Sequence, residues 1–319
     1  MNGVLIIDKP VGLTSHDVVA RVRRILSERR VGHTGTLDPF ATGVLVILVG
    51  RATKLAQFLN GAEKEYQALI RFGYATDTGD ATGTRRTKEP PSVETDSASW
   101  SDARITATLE SLRGEQRQVP PMYSAKKVGG KKLYELARQG VEIEREAARI
   151  FIRELEAIGR DDGSFLKRNE DGTADMMARV VCSAGTYVRV LAETIGEKLG
   201  AGAHLAELRR TRAGAFKITD ALTLDELQRM AEEGTATTAI LSPDAALPEM
   251  PLLHLTEQDA RAVRHGIAVR VSDSALKETE LPDGCYVRMR EPPDNLIAVG
   301  VYDAAQRTVR PRVLIALEK

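Results

Sequence analysis

The first half of the chain alternates apolar runs with polar connections, a pattern that predicts strands and helices packed together. Residues 4 to 7 and 44 to 49 are uninterrupted apolar runs, typical of buried strands, and the second is bounded by Gly43 and Gly50. Between them, residues 18 to 26 carry apolar side chains at helical spacing, and Thr14 or Ser15 can cap that helix. A short helix through residues 55 to 59 and a strand over 66 to 70 follow.

The second half predicts the same mixture. Ser101 is the predicted cap of a helix that ends near Gly114, and residues 86 to 100 are predicted to form a surface connection. Strands are predicted at 149 to 152 and 176 to 182, joined by a polar hairpin loop, and a helix at 187 to 199 stops at Gly200. A further helix begins at Thr223, with Glu226 completing a capping box.

The character of the sequence changes around residues 247 to 251, where prolines cluster. The tail predicts one short helix, 257 to 264, and strands near 285 to 288, 297 to 301 and 312 to 315, enough for a small barrel. We therefore predict two domains, 1 to 249 and 250 to 319.

The composition of the chain excludes several classes of protein but does not indicate a function. The 319 residues are 42% hydrophobic and 28% charged, with no apolar run of the roughly 20 residues that a membrane span needs. The N-terminal sequence does not resemble a signal peptide, so we expect a soluble cytoplasmic protein. Two distant cysteines and scattered histidines predict neither a disulfide framework nor a metal site.

The formal net charge is zero, but basic residues are concentrated in three stretches. They are 21 to 30, 113 to 138, and 209 to 217, and each alone is as consistent with a solvated surface as with a binding site. Together they favour a polyanionic partner such as a nucleic acid.

One loop carries candidate chemistry. Asp38 follows Gly32 and Gly35, precedes Pro39, and leads through Gly43 into the apolar run. A carboxylate presented on such a loop could be a nucleophile or a general base, although from spacing alone an Asp that hydrogen-bonds its own turn is the commoner case. The glycines match neither a Walker loop nor a dinucleotide fingerprint.

The segment Gly-His-Thr-Gly-Thr-Leu-Asp-Pro, residues 32 to 39, closely resembles the signature of bacterial tRNA pseudouridine-55 synthases of the TruB type. Further motifs of that family follow the same order, over about residues 3 to 225. They are Asp-Lys-Pro-Val-Gly-Leu-Thr-Ser (8 to 15), Lys-Glu-Tyr (64 to 66), Thr-Asp-Thr-Gly-Asp (76 to 80), Val-Pro-Pro-Met-Tyr-Ser-Ala-Lys (119 to 126), Ser-Ala-Gly-Thr-Tyr-Val-Arg (183 to 189) and Gly-Ala-His-Leu-Ala-Glu-Leu-Arg-Arg (202 to 210).

The resemblance implies an α+β pseudouridine synthase fold, with a central mixed, mostly antiparallel sheet flanked by helices and loops. It also implies a small C-terminal β-rich domain that is PUA-like and binds RNA. The implied reaction isomerises the T-loop uridine at tRNA position 55 to pseudouridine, with base flipping and without a cofactor or metal.

The resemblance also assigns roles to individual residues. Asp38 is the implied nucleophile and Arg189 its partner, with Tyr66 stacking on the base and Tyr187 beside it. The implied substrate-binding residues are His33, which enters the space left by the base, Leu208, Lys9, Asp80, and Lys126, Lys131 and Lys132 of a basic RNA-gripping arm at about 113 to 141. Without the resemblance, the two tyrosines are more typical of a strand face or a core, and Leu208 is equally compatible with a plain core.

The implied partner is the T stem-loop of tRNA, with no guide RNA, no membrane, no required protein and a monomeric enzyme. Two alternatives stay open. One is an RNA-binding or tRNA-folding protein in which catalysis is secondary, and the other is a eukaryotic-like synthase guided by a separate RNA. The sequence leaves open whether Asp38 attacks the ring or the sugar, which group removes the proton, and the role of residues 160 to 175.

Overall fold

The computed structural model describes residues 1–86, 100–124, 126–271, 281–293 and 295–316 of the chain. Up to residue 217, these residues form twelve strands: β1 (Gly3–Lys9), β2 (Val31–Thr34), β3 (Thr42–Val49), β4 (Lys64–Phe72), β5 (Gly114–Gln118), β6 (Lys127–Val128), β7 (Lys131–Lys132), β8 (Ala148–Ala157), β9 (Leu166–Arg168), β10 (Ala174–Cys182), β11 (Ala203–Ala213) and β12 (Phe216–Lys217).

Ten of these described strands make one sheet, with the order β1-β3-β11-β4-β10-β8-β5 along its main path. β2 pairs with β3, β12 with β11, and β9 with β10. Every pairing is antiparallel except that of β3 with β11, where Thr42 and Gly43 lie beside Arg209 and Arg210. The predicted mixed, mostly antiparallel sheet is therefore confirmed.

Seven α-helices are described: α1 (Ser15–Ile25), α2 (Ala56–Leu59), α3 (Asp102–Ser111), α4 (Leu133–Arg138), α5 (Val188–Lys198), α6 (Leu224–Glu232) and α7 (Glu257–Arg264). The predicted caps are confirmed: the side chains of Thr14, Ser101 and Thr223 each accept from a backbone N–H in the first turn. None of the helices in the described part is long and apolar enough to cross a membrane.

Two apolar clusters hold the helices to the sheet. Val18 and Val22 of α1 and Leu227 of α6 pack against β1 and β3. Apolar residues of α3 and α5, among them Leu109 and Leu191, pack against β4, β8 and β10. α1 and the start of α5 are thereby fixed beside the connection between β2 and β3, where Asp38 lies.

A second sheet follows residue 251, with the order β13-β15-β16-β17-β14. Its strands are β13 (Leu252–His254), β14 (Val269–Arg270), β15 (Tyr286–Glu291), β16 (Asn295–Asp303) and β17 (Thr308–Leu314). Together with α7 it forms the expected β-rich C-terminal domain, while the division at residue 249 stays a prediction. Leu55 packs with Leu296 and Val313, and Lys54 Nζ donates to the Leu314 carbonyl at 2.9 Å, so the short 3-10 helix after β3, Gly50–Leu55, contacts the second sheet.

The structure differs from the sequence expectations at several elements, among them the expected glycine-rich loop, whose first residues belong to strand β2. The eleven-residue strand β11 was not predicted as a strand. The expected arm also begins too early at residue 113, because Gly114–Gln118 is strand β5, paired with β8 in the main sheet. The predicted surface connection at 86 to 100 lies mostly outside the described residues.

Candidate functional site

A cavity of about 500 Å³ opens where the β2–β3 connection meets β4, β11 and the start of α5. Six residues assigned from the sequence line it: His33, Asp38, Tyr66, Tyr187, Arg189 and Leu208. They come from distant parts of the chain, so the fold brings them together.

The loop that carries Asp38 is held by backbone hydrogen bonds on both sides. The Ser15 hydroxyl accepts from the Leu37 N–H at 2.9 Å and donates to the Leu37 carbonyl at 3.1 Å. The Pro39 carbonyl accepts from the Gly12 N–H at 2.8 Å. Because the residues on both sides are fixed, the carboxylate has a defined position.

Lys9 holds the same loop through hydrogen bonds to backbone carbonyls. Its fully buried ammonium donates to the carbonyls of Leu13 at 2.7 Å, Pro10 at 2.9 Å and Pro39 at 3.3 Å. Burial lowers the pKa of Lys9 to about 8, and the nearby Asp38 carboxylate opposes that change. Lys9 does not line the cavity, so its contact with the site is through the loop and its charge.

Asp38 and Arg189 form an ion pair at the cavity wall. Arg189 Nε lies 2.9 Å from Asp38 Oδ2, and the two side chains are 5% and 35% exposed respectively. Burial raises the pKa of the Asp38 carboxyl above its usual range, and the guanidinium acts in the opposite direction. The pair therefore favours the ionised carboxylate against the cost of desolvation.

The other nitrogens of Arg189 bind elsewhere. Nη1 donates to the Thr78 carbonyl at 2.8 Å and Nη2 to the Tyr123 carbonyl at 2.6 Å. Asp80 Oδ2 lies 3.5 Å from Nη1. The guanidinium thus binds Asp38 through Nε alone, and its terminal nitrogens are used to hold Arg189 itself in place.

Asp80 faces Arg189 rather than the cavity. Its Oδ1 accepts from the hydroxyls of Thr78 and Thr82, at 2.8 and 2.6 Å, and from the Thr82 N–H at 3.0 Å. These bonds order the loop of residues 76 to 83, as its turn residues predicted. Asp80 therefore contacts the site through Arg189.

The two tyrosines reach the cavity from different elements. Tyr66 is a buried residue of β4, and burial raises the pKa of its phenol. Tyr187 precedes α5, where the Gln118 amide accepts from its backbone N–H at 2.7 Å and donates to its carbonyl at 3.1 Å. Burial also raises the pKa of Tyr187. Both phenols are therefore protonated near neutral pH.

His33 and the arm lysines complete the predicted set. His33 lies in β2 with its ring edge-on to His16 at a centroid separation of 5.4 Å, and burial lowers its pKa to about 4. Its buried Nδ1 has no hydrogen-bond partner in the described residues. Lys126 is exposed, whereas the side chains of Lys131 and Lys132 lie outside the described part.

Two buried cations next to the cavity were missed. Arg210 of β11 is 1% exposed and donates from Nε to the Val44 carbonyl at 2.7 Å and from Nη2 to the Gly35 carbonyl at 2.9 Å. Lys64 donates to two backbone carbonyls, and burial lowers its pKa to about 8. Lys64 belongs to the family motif at residues 64 to 66 and Arg210 to the motif at residues 202 to 210, so the sequence pointed to both residues. Their burial beside the cavity, however, depends on strand pairing.

The three arginines of the third basic stretch are paired or buried within the protein. Arg209 Nη2 lies 2.6 Å from Asp8, and Arg212 Nη2 lies 2.8 Å from Glu63. With Arg210 buried, these arginines do not support the expectation that the stretch contacts a polyanion, whereas Lys217 is exposed. Among the described residues, no three histidine, cysteine, aspartate or glutamate side chains converge in a way that could hold a metal ion.

Comparison with known proteins identifies the family. Residues 23–188 match the TruB family pseudouridylate synthase (N terminal domain), and residues 189–247 match the tRNA pseudouridylate synthase B C-terminal domain. The chain is 45% identical to tRNA pseudouridine synthase B of Geobacillus thermodenitrificans, over 88% of this chain and 90% of that protein. It is 43% identical to the protein of the same name from Bacillus subtilis, over 88% and 87%.

Solved structures agree on the fold. A Cbf5-Nop10-Gar1 complex contains a chain that matches with a TM-score of 0.72 and 27% identity, over 99% of this chain and 85% of that one. An H/ACA RNP bound to a substrate RNA containing 2′-deoxyuridine contains another, with a TM-score of 0.71 and 25% identity, over 98% and 85%. By sequence and by fold, this chain belongs to the TruB family and is a pseudouridine synthase, an isomerase.

Proposed function

We propose that this protein isomerises the T-loop uridine of tRNA, position 55, to pseudouridine, with Asp38 as the nucleophile. The observation that carries the proposal is the pairing of Asp38 with the buried Arg189, 2.9 Å apart, at the wall of a cavity that two tyrosines also line. The names of the bacterial relatives, tRNA pseudouridine synthase B, support tRNA as the substrate.

The chemistry fits the groups present. The reaction breaks the bond between C1′ and N1, turns the uracil, and joins C1′ to C5. The C5 hydrogen leaves as a proton and N1 gains one, so no electrons are supplied from outside. An ionised Asp38 begins the reaction, and Arg189 stabilises that ionised form and fixes its direction.

A nucleotide inside a folded RNA arm must leave its stack to reach the cavity. Tyr66 offers the base a flat surface, Leu208 packs from the other side, and Tyr187 positions a proton beside it. His33, in the strand before the Asp38 loop, fills the space that the base leaves. Lys9 and Asp80 act as positioning residues, the first through the loop and the second through Arg189.

The remaining parts of the proposal concern RNA contact. Residues 1 to 249 form the catalytic domain, and residues 250 to 319 a PUA-like domain that binds RNA. The segment after Gln118, with Lys126, Lys131 and Lys132, grips the RNA through phosphates. This segment extends to about residue 141 and stands outside the main sheet.

We expect the protein to act alone, as a monomer. The solved neighbours come from a Cbf5-Nop10-Gar1 complex and from an H/ACA RNP bound to a substrate RNA, whereas every motif of the proposed site lies on this one chain. The purified chain should form pseudouridine at position 55 of an unmodified tRNA transcript, measured by mapping the modified base.

The control reaction contains the same transcript with position 55 changed to cytidine. If the purified chain leaves the uridine unmodified and acts only after a second RNA or protein is added, the standalone proposal is wrong.

Arg210 should matter for catalysis although it was not assigned from the sequence. Arg210→Lys keeps the charge but cannot satisfy both the Gly35 and Val44 carbonyls, so the Asp38 loop loses a support. We expect kcat to fall by about tenfold to a hundredfold, the scale of one charge-assisted hydrogen bond, with KM changed less.

Arg212→Lys is the matched control, because Arg212 lies on the same strand and pairs with Glu63 outside the cavity. Equal effects of the two substitutions on kcat would contradict a specific role for Arg210.

A further inference from the structure

Exposed arginines without ion-pair partners are concentrated at the end of α1 and in the turn that follows it. Arg21, Arg24, Arg29 and Arg30 are exposed, and no carboxylate among the described residues forms an ion pair with any of them. The protein otherwise neutralises many of its arginines, including Arg209 and Arg212 of the third basic stretch. Four such arginines within residues 21 to 30 therefore give this surface a concentrated positive charge.

The nearby acidic residues are occupied by other partners. Asp17 accepts from the Thr14 backbone N–H at 2.8 Å and from its hydroxyl at 2.6 Å, which completes the cap of α1. Glu28 accepts from the Arg30 backbone N–H at 2.9 Å and lies 3.8 Å from the N-terminal amine. Glu28 is therefore not directed to an arginine side chain of this surface, whereas Asp17 also interacts electrostatically with Arg21, one turn further along α1.

This surface is continuous with the cavity. At the start of α1, His16 contacts His33, which lines the cavity, and near the end of the helix Arg23 Nη2 donates to the Val31 carbonyl at 2.7 Å. α1 therefore runs along β2 and leads away from the cavity mouth. Its eleven residues span about 16 Å, a length of several nucleotides of RNA.

The dipole of α1 does not explain the position of all four arginines. Arg24 lies in the last turn of α1, where the negative end of the dipole favours a cation. Arg29 and Arg30 lie beyond the helix end, in a turn, and gain nothing comparable. None of the exposed large apolar side chains of the described part falls within residues 15 to 31, which favours a phosphate backbone over a protein partner.

We infer that Arg21, Arg24, Arg29 and Arg30 form a phosphate-binding track for the RNA strand that adjoins the extruded uridine. The inference rests on the proposed function, since it places the rest of the substrate relative to the same cavity. The track contacts phosphates and carries no base specificity. Its contribution to affinity is therefore strongly salt-dependent.

The test is the salt dependence of tRNA binding by the triple variant Arg24→Gln, Arg29→Gln, Arg30→Gln. Each lost phosphate contact reduces the slope of log K against log salt by roughly 0.7 to 0.9, so we expect a slope shallower by about 2. The control is Arg104→Gln, Arg160→Gln, Arg168→Gln, which removes the same charge from exposed positions that do not line the cavity.

A wild-type slope in the first variant, or an equal change in both variants, would overturn the inference. The binding measurement does not depend on product formation, so it separates this inference from the proposed function. If wild-type protein makes no pseudouridine, the proposed function fails, whereas the slopes still decide whether the track exists. At saturating tRNA the kcat of the triple variant should equal that of the wild type.

Discussion

Asp38→Asn should abolish pseudouridine formation while leaving tRNA binding within a few fold of the wild type. The amide keeps the size and place of the carboxyl group, and the bonds of Ser15 and Gly12 to the neighbouring residues remain. It cannot ionise, so the attacking group is lost. We expect kcat to fall by about four orders of magnitude or more, as removal of a nucleophile does elsewhere.

The same variant separates the two functional classes. Affinity comes mainly from phosphate contacts, which Asp38 does not make, so equilibrium binding should be nearly unchanged. Thermal unfolding checks that the fold is intact. A normal rate of pseudouridine formation would reject the assigned nucleophile, and wild-type tRNA folding by the inactive variant would favour the folding role as a separate activity.

Arg189→Gln should lower kcat by about a hundredfold or more and move its pH dependence. Removing one partner of a buried ion pair leaves the other charge uncompensated, which costs about 3 kcal/mol or more in buried pairs. Asp38 is a third exposed, so solvent screens part of that cost, and we expect the lower end of the range. Single-turnover kinetics measures the chemical step directly.

The direction of the pH shift follows from the charges. Burial already raises the pKa of Asp38, so activity in the wild type falls as pH drops through that raised value. Without the guanidinium the pKa rises further, and the acid limb of kcat should move to higher pH. Arg189→Lys keeps a cation and should keep the limb near its wild-type position, even with a reduced rate. An unmoved limb in Arg189→Gln would show that Arg189 does not control the ionisation of Asp38.

Much of the fold could be predicted, because its elements carry local signals. The buried strands β1 and β3 are apolar runs, and α1, α3 and α6 begin at side-chain caps that the sequence displays. β11 lacks such a signal in its second half, where Arg209, Arg210 and Arg212 occupy a strand. Their partners are Asp8, Val44 and Glu63, which only the strand order brings near.

The residues of the candidate site could likewise be predicted in part, whereas their contacts could not. Motif resemblance identified Asp38, Arg189 and the two tyrosines, all of which line one cavity. It did not predict that Arg189 would bind Asp38 through Nε alone, because the Thr78 and Tyr123 carbonyls that take its other nitrogens lie in separate loops. Every residue carries a backbone carbonyl, so a sequence motif cannot indicate which carbonyl accepts a hydrogen bond.

The position of β11 has a consequence for how the protein is made. This strand, residues 203 to 213, inserts between β3 and β4, which the chain produces much earlier. A growing chain that has not reached residue 203 therefore has an unpaired edge along β4, and another at the start of β3, which β2 does not cover. It also lacks Arg210, whose bond to Gly35 supports the Asp38 loop. Joining such distant segments is entropically costly and slow, so the Asp38 loop is completed late in folding, and N-terminal fragments should aggregate rather than modify RNA.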